Sequence, residues 1–363
     1  MSESILIDAN TFTSPELRHE IPAGVMDPFL YGETDGVAWA LTSALDAATI
    51  AEARPGLKQL DMFELGLREL IGRGLSRAEA LLEVRRQACK LMGVERALVP
   101  WSFPLETADH LREAGIQVIP TRELFDTRRR VKSAAEVAGI RRATRAAEAG
   151  LTAAREAVRV GLEIEELRAI VREAVEGAGG VLGEFTVSRG PQTALGHAQG
   201  SGAIQAGEPV IVDLWPQDRA TACYSDIART FVVGEPSPEI ARWHGLVASV
   251  LEDSIAAVRP GVLGRTLWNA ACDRFEAEGF PTQRKPGATF MEGFPTALGH
   301  GVGLEVHEAP GLGSSGGQEF VAGDVVTIEP FLCRPGVGGV QIEEILLVTK
   351  DGCERLSGVG TGL

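Results

Sequence analysis

Positive charge is what this sequence of 363 residues has too little of: 35 Lys and Arg stand against 50 Asp and Glu, a net charge of −15. That argues against a nucleic-acid partner, because affinity for a phosphate backbone needs a basic surplus to displace counterions. Cysteine is sparse as well. The five, Cys89, Cys223, Cys272, Cys333 and Cys353, are odd in number, widely spaced and form no C-x-x-C pair. Free thiols in a reducing compartment are expected, and not a disulfide framework. The opening "MSESILIDAN" lacks a basic stretch followed by an apolar one, so no secretory signal is expected. The chain also lacks an apolar run of about 18 residues, so no membrane span is expected. The cytoplasm is the expected setting.

Apolar residues are plentiful, at 44%, and the length suits two domains. Over residues 1–125, strand-like "GVAWALTSAL" (36–45), "RALVPW" (96–101) and "IQVIP" (116–120) alternate with the helix-like "SRAEALLEVRRQACKLMG" (76–93). Such alternation predicts a small α/β domain. The polar, basic "DTRRRVKSAAE" (126–136) reads as a linker, and 137–363 as the second domain. A helix opens the latter, with Val137, Ile140, Ala147, Leu151, Ala154 and Val158 along one face.

An internal echo follows at an offset of 100 residues. "AVRVGLEIEELRAIVREAVEGAGG" (157–180) resembles "AVRPGVLGRTLWNAACDRFEAEGF" (257–280), with Gly161, Leu167 and Gly179 matched by Gly261, Leu267 and Gly279. Each copy reads as helix end, glycine turn, helix, glycine stop. Chance likeness of amphipathic helices is one explanation. The glycines at both boundaries favour duplication, with two helix-helix-sheet halves related by a pseudo-twofold and a groove between them suited to a ligand.

Acidic residues fall in apolar, β-rich surroundings four times: Asp213 in "EPVIVDLWP", Asp226 in "CYSDIARTFVVG", Glu329 in "DVVTIEPFL" and Glu343 in "GGVQIEEILLVT". A carboxylate there is costly unless something neutralises it. Four would crowd one divalent ion; two ions would balance four charges, with a histidine completing the set. His300 is available in "ALGHGVGLEVHEAP" (297–310), a glycine-rich stretch that also holds His307. Oxygen donors with one imidazole suit Mn or Co, and Zn also fits.

In this order the residues resemble the pita-bread metallopeptidases, the family of methionine aminopeptidase, aminopeptidase P and prolidase. The likeness rests on "SDIARTF" (225–231), "GHGVGLEVHE" (299–308), "TIEP" (327–330) and "QIEE" (341–344), and runs from about 130 to 350. It implies an α/β (α+β) chain: a small N-terminal domain that caps the site and builds a homodimer, and a pita-bread catalytic domain. It also implies two divalent metal ions. Asp213 would hold one, His300 and Glu329 the other, and Asp226 and Glu343 would bridge them, with a hydroxide between the metals as nucleophile. Glu329 would accept its proton and pass it to the leaving amine, and His307 would donate to the scissile carbonyl. His197, in "SRGPQTALGHAQGSG", would touch substrate or the tetrahedral intermediate and so count among the catalytic residues. Phe185 would be part of an apolar wall or a plain core side chain, and His244 a helix-face histidine.

The implied reaction is hydrolysis of Xaa-Pro bonds in small peptides, by a Xaa-Pro dipeptidase (prolidase). An aminopeptidase on longer peptides and an atypical carboxypeptidase are alternatives within the same chemistry. A metal-independent creatinase-like hydrolase and a non-catalytic binding protein are alternatives outside it. Three positions depart from the family pattern: Thr296 replaces a histidine, Gln341 replaces an arginine, and no arginine follows the "HEAP" segment. The metal centre is expected to be intact and substrate recognition altered, with Arg189 as a candidate cation.

Overall fold

The computed structural model describes residues 3–284 and 291–363. The chain divides into two compact units, Met1–Arg129 and Arg130–Leu363. No helix among the described residues is long and apolar enough to cross a membrane. All five cysteines are unpaired thiols.

The first unit is a mixed six-stranded sheet. Its strands are β1 (Glu3–Ala9), β2 (Phe29–Thr34), β3 (Val37–Thr42), β4 (Lys58–Asp61), β5 (Arg96–Val99) and β6 (Gln117–Pro120), in the order β4-β3-β2-β1-β5-β6. β1, β2 and β3 run antiparallel, while the pairs β3–β4, β1–β5 and β5–β6 are parallel. The helices are α1 (Pro15–Glu20), α2 (Ala47–Ala53), α3 (Leu67–Gly72), α4 (Arg77–Leu91), α5 (Leu105–Glu113) and α6 (Glu123–Arg130). α4 is the expected helix, and Ser76 and Glu79 start it by exchanging capping hydrogen bonds with each other's backbone. β3, β5 and β6 are the expected strands; β1, β2 and β4 are additional. β1 is buried on both faces, so its sequence shows no alternation to betray it.

The boundary between the units falls within 126–136, the stretch expected to be a linker, and most of that stretch is helical. Its first half completes α6, and a new helix, α7 (Ala134–Ala157), begins after only three residues. The basic residues that made it look solvated are paired: Arg128 with Glu20 and Glu33, and Arg130 with Asp324.

In the second unit the duplication is visible element by element. α7 turns into α8 (Ile164–Gly177), and 100 residues later α9 (Pro238–Ala257) turns into α10 (Gly264–Ala277). The turn glycines Gly161 and Gly261 have φ of 85° and 84°, a left-handed conformation that favours glycine. Each turn is tied to the chain in the same way: Gly161 N–H donates to Ile204 O and Gly261 N–H to Phe320 O, both at 2.9 Å.

The first helix pair packs on a sheet of β8 (Thr186–Arg189), β9 (Pro209–Leu214) and β11 (Ile227–Val232), ordered β11-β9-β8. Before β8 comes β7 (Gly180–Val181), which pairs with β10 (Gln217–Asp218) between β9 and β11. The second helix pair packs on β12 (Val325–Ile328), β15 (Glu344–Val348) and β16 (Cys353–Arg355). β13 (Phe331–Arg334) and β14 (Gly338–Gln341) form a hairpin between β12 and β15.

Each half has its own apolar core, and Leu167 and Leu267 hold the same place in the two copies, at 0% and 4% exposure. Truncating either to alanine removes buried apolar volume from an α-helix anchor. Leu167→Ala and Leu267→Ala are each expected to cost about 2–5 kcal/mol in urea unfolding. A loss below about 1 kcal/mol at either would contradict the packing described.

Candidate metal centre

Strand parity brings the carboxylates together. In the β9–β11 ladder Asp213 lies opposite Ala228, two residues beyond Asp226. Side chains two apart share a face, so both aspartates point to the same side. In the other half, β12 and β15 pair with Ile328 opposite Glu344. One step further along that register, Glu329 faces Glu343. Only Asp213 lies inside a strand; Asp226, Glu329 and Glu343 stand one residue beyond strand ends, a small departure from the expected placement. The halves join where Glu343 N–H donates to Ala228 O at 3.0 Å.

His300 enters from the glycine-rich segment beside β12. Thr327 N–H donates to its carbonyl at 2.8 Å, and its own N–H donates to Thr327 Oγ1 at 3.2 Å. Its Nδ1 is 3.2 Å from Gly301 O; a carbonyl only accepts, so the proton sits on Nδ1. Nε2 therefore presents its lone pair inward, 3.4 Å from Glu329 Oε1 and 3.6 Å from Asp226 Oδ2. One donor atom each from Asp226, His300 and Glu343 lie within 4.8 Å of one another.

These groups line a cavity of about 480 Å³. Burial pushes Asp213 up to about 7, a shift that a hydrogen bond from Gln341 opposes. Burial, with Asp213 adding to it, pushes Glu329 up to about 8. Asp226 and Glu343 are raised well above their ordinary range by burial first and by neighbouring carboxylates second. His300 is driven down to about 3 by burial and by His307, so it is neutral at ordinary pH. Asp213 Oδ1, Asp226 Oδ1 and Glu343 Oε1 are buried without a hydrogen-bond donor. Such orphaned oxygens on desolvated acids are what a cation would satisfy, and hard oxygens with one neutral imidazole fit a divalent ion.

The other expected site residues divide. His307 lines the cavity, its ring centre 4.1 Å from that of His300. Its basicity is held below the ordinary value by desolvation and by His197. His197 also lines the cavity and meets the ring of Trp215 edge-on at 6.3 Å. Phe185 does not line it. Its neighbours Glu184 and Thr186 do, while Phe185 is 1% exposed in the core with Arg168 and Arg172 over its ring. Alternation along the strand decides this: Thr186 lies opposite Asp213 and so shares its face, which turns Phe185 away.

Trp215, two residues after Asp213, lines the cavity by the same rule, and parity would have marked it from the sequence. Arg189 is engaged by Glu208 at 3.0 Å and is not a lining residue. Gln341 stands close to the acids, its amide 3.5 Å from Glu329 Oε2, a neutral donor where the resemblance implied a cation. The carbonyl of Thr296 accepts from Trp268 Nε1 at 3.1 Å, and its side chain stays off the cavity lining. His244 lies on α9 and contacts Thr361 O at 2.8 Å.

Known proteins carry the same plan. A Xaa-Pro dipeptidase of Pyrococcus horikoshii is 30% identical over 279 residues, 75% of this chain and 74% of that protein. The crystal structure of the prolidase from Pyrococcus horikoshii superposes with a TM-score of 0.82 at 24% identity, covering 100% of this chain and 95% of that one. The X-Pro aminopeptidase of Thermotoga maritima superposes at 0.77 with 19% identity, covering 99% and 94%. These two likenesses establish a shared fold. Residues 138–350, more than half of the chain and spanning every carboxylate and histidine of the cavity, match the model of metallopeptidase family M24, and the chain belongs to that family.

Proposed function

We propose that this metallopeptidase hydrolyses Xaa-Pro bonds as a Xaa-Pro dipeptidase, using two divalent cations held by Asp213, Asp226, His300, Glu329 and Glu343. The observation that carries this reading is the set of orphaned, desolvated carboxylate oxygens converging with a neutral imidazole in one cavity. Asp226 and Glu343, the innermost pair, would bridge. Asp213 would complete one ion, and His300 and Glu329 the other. Manganese or cobalt suits this donor set, with zinc also compatible. When bound, such a pair neutralises the acids and lowers the pKa of a water from ~16 towards ~7.

The chain's own groups would do the remainder. Glu329 takes the proton of the attacking water and returns it to the departing amine. His307, uncharged, donates an N–H to the scissile carbonyl as negative charge grows on its oxygen. His197 faces the same space and would steady the substrate beside Trp215. A bond to proline lacks an amide hydrogen and has a fixed φ, and Trp215 and Val306 are the lining side chains that offer its ring apolar contact. The activity named for the Pyrococcus horikoshii relative supports this substrate class. The setting is proposed as cytoplasmic because the cysteines are the unpaired thiols of a reducing compartment, and the assembly as a homodimer on the family resemblance alone.

The intact donor set argues against a metal-independent hydrolase and against a binding protein that has lost catalysis. An aminopeptidase acting on longer peptides is the alternative within the same chemistry. A panel of Xaa-Pro dipeptides and Xaa-Pro-Yaa tripeptides, assayed with Mn, separates the two: turnover of the dipeptides alone is expected. Turnover confined to tripeptides would transfer the assignment to the aminopeptidase.

The bridging roles predict that Asp226→Ala and Glu343→Ala lose both ions and all turnover, measured by elemental analysis and peptide assay. His307→Ala should keep its metal and lose rate, because its donation strengthens only in the transition state. A metal-free His307 variant would contradict that role.

The raised acids also set a pH dependence. Folded and metal-free, the chain retains protons on Asp213 up to about 7 and on Glu329 up to about 8, against ordinary values of 3.8 and 4.5. The unfolded chain has released them, so stability falls as pH rises through this interval. His300, depressed from 6.5 to about 3, acts in the opposite sense, but only below about 6.5. In chelator, Tm should therefore drop between about pH 6.5 and 8. Excess Mn should abolish the drop, because it replaces protons as the counter-charge. A chelated Tm that climbs over that range would count against the buried-acid cluster.

A further inference from the structure

We infer that Lys132 is a positioning residue for His307, acting through Glu308; this rests on the proposed reading of His307 as the group that meets the substrate. Lys132 lies between α6 and α7, in a stretch whose sequence suggests only a linker. Its side chain is 2% exposed and forms an ion pair with Glu308, whose side chain is 4% exposed. The ammonium also donates to Arg130 O at 3.0 Å, and the Lys132 N–H to Gly323 O at 3.2 Å, so the lysine is fixed at both ends.

Glu308 immediately follows His307 and closes the loop that carries His300 and His307. It exchanges backbone hydrogen bonds with Gly301 at 2.9 and 3.0 Å. Its carboxylate folds back over Gly303, where a Cβ would lie 2.5 Å from Oε1, so only glycine permits this approach. Gly303 O in turn accepts from Tyr224 N–H at 2.8 Å. The residues either side of the loop are thus pinned, while His307 itself is exposed and projects into the cavity. The direction of its ring is set by the neighbour that Lys132 holds.

Two buried opposite charges gain little net stability over an apolar pair of similar size, since each must be desolvated. What this pair supplies is a fixed end point for the loop: a carboxylate with a lysine at a single place has one low-energy position. Loss of the ammonium would free the Glu308 carboxylate to leave Gly303 and turn outward, removing the side-chain brace on the segment that carries His307. A displacement near 1 Å at a catalytic group lowers turnover by up to ~100-fold.

The test compares Lys132→Met, His307→Ala and the double variant in the metal-loaded enzyme on an Xaa-Pro dipeptide. Lys132→Met is expected to keep its metal by elemental analysis and to lose roughly tenfold or more in kcat with KM within about twofold. The variant carrying both substitutions should be no slower than His307→Ala alone, because the lysine acts only through that histidine. If Lys132→Met proves too unstable, Lys132→Met with Glu308→Met replaces the pair by apolar groups; it should fold with a Tm near wild type and still be slow. Wild-type kcat in a folded, metal-replete Lys132→Met or Lys132→Met/Glu308→Met variant overturns the inference, as does full additivity with His307→Ala. If His307→Ala itself turns over normally, it is the underlying reading of His307 that fails.

Discussion

Four carboxylates share one desolvated cavity, and everything around them in the second unit can be understood as a way of tolerating that repulsion. Asp226 and Glu343 are each raised by burial and then by the other acids, so they cannot all ionise together without a positive charge between them. Positive side chains are kept at a distance from that role. Arg229, the fully buried guanidinium nearest to the cluster, spends its donors on Glu344 and on the backbone oxygens of Ala228, Glu343, Val359 and Gly360. It braces the backbone from which Glu343 projects and leaves the Glu343 carboxylate to the cavity. The arrangement leaves the charge deficit to a divalent cation, the metal use that membership of a metallopeptidase family implies.

The duplicated architecture explains how such a deficit is assembled without unfolding the protein. Each half contributes two acids from the end of one antiparallel pair, backed by its own helix pair and apolar core. Neither half bears four buried charges alone. The cost is divided between two cores and concentrated where the halves meet, along contacts that include Glu343 N–H to Ala228 O and the paired bonds between Thr230 and Gln341. A catalytic groove at the seam of a duplication is therefore a consequence of electrostatics as well as of descent.

Much of this was legible in the sequence because it depends on period and order. The helix pairs, their glycine turns and the 100-residue offset follow from local rules that tertiary context did not override. The acids were legible as misfits in apolar surroundings. Phe185 shows where such reading stops: its residue type leaves apolar wall and plain core both open, whereas parity from Asp213 selects Glu184, Thr186 and Trp215 for the cavity and leaves Phe185 in the core. Lys132 and its neighbours show a second limit. Charge in a short polar stretch looks the same whether it is solvated or buried against a partner 176 residues away. Ion-pair partners at such separation leave no periodic trace. β1 was hidden for the opposite reason, being buried on both faces and so without alternation.

The two histidines of one short loop illustrate how burial assigns chemistry to identical side chains. His300 is anchored on β12 through Thr327, its Nδ1 proton is committed to Gly301, and its basicity is driven to about 3. An imidazole in that state cannot compete for protons and offers a permanent lone pair, the property of a metal ligand. His307, seven residues on, is exposed toward the cavity and only lowered in basicity, which leaves it free to donate to a substrate oxygen. The loop needs to be rigid at one imidazole and open at the other. Glycines at 301 and 303 allow the close turns at the first, and the Glu308 anchor limits motion at the second. The proposed ligand and the proposed donor are thus set apart by their surroundings within a single turn of chain, and the rate of the proposed reaction depends on that separation being held.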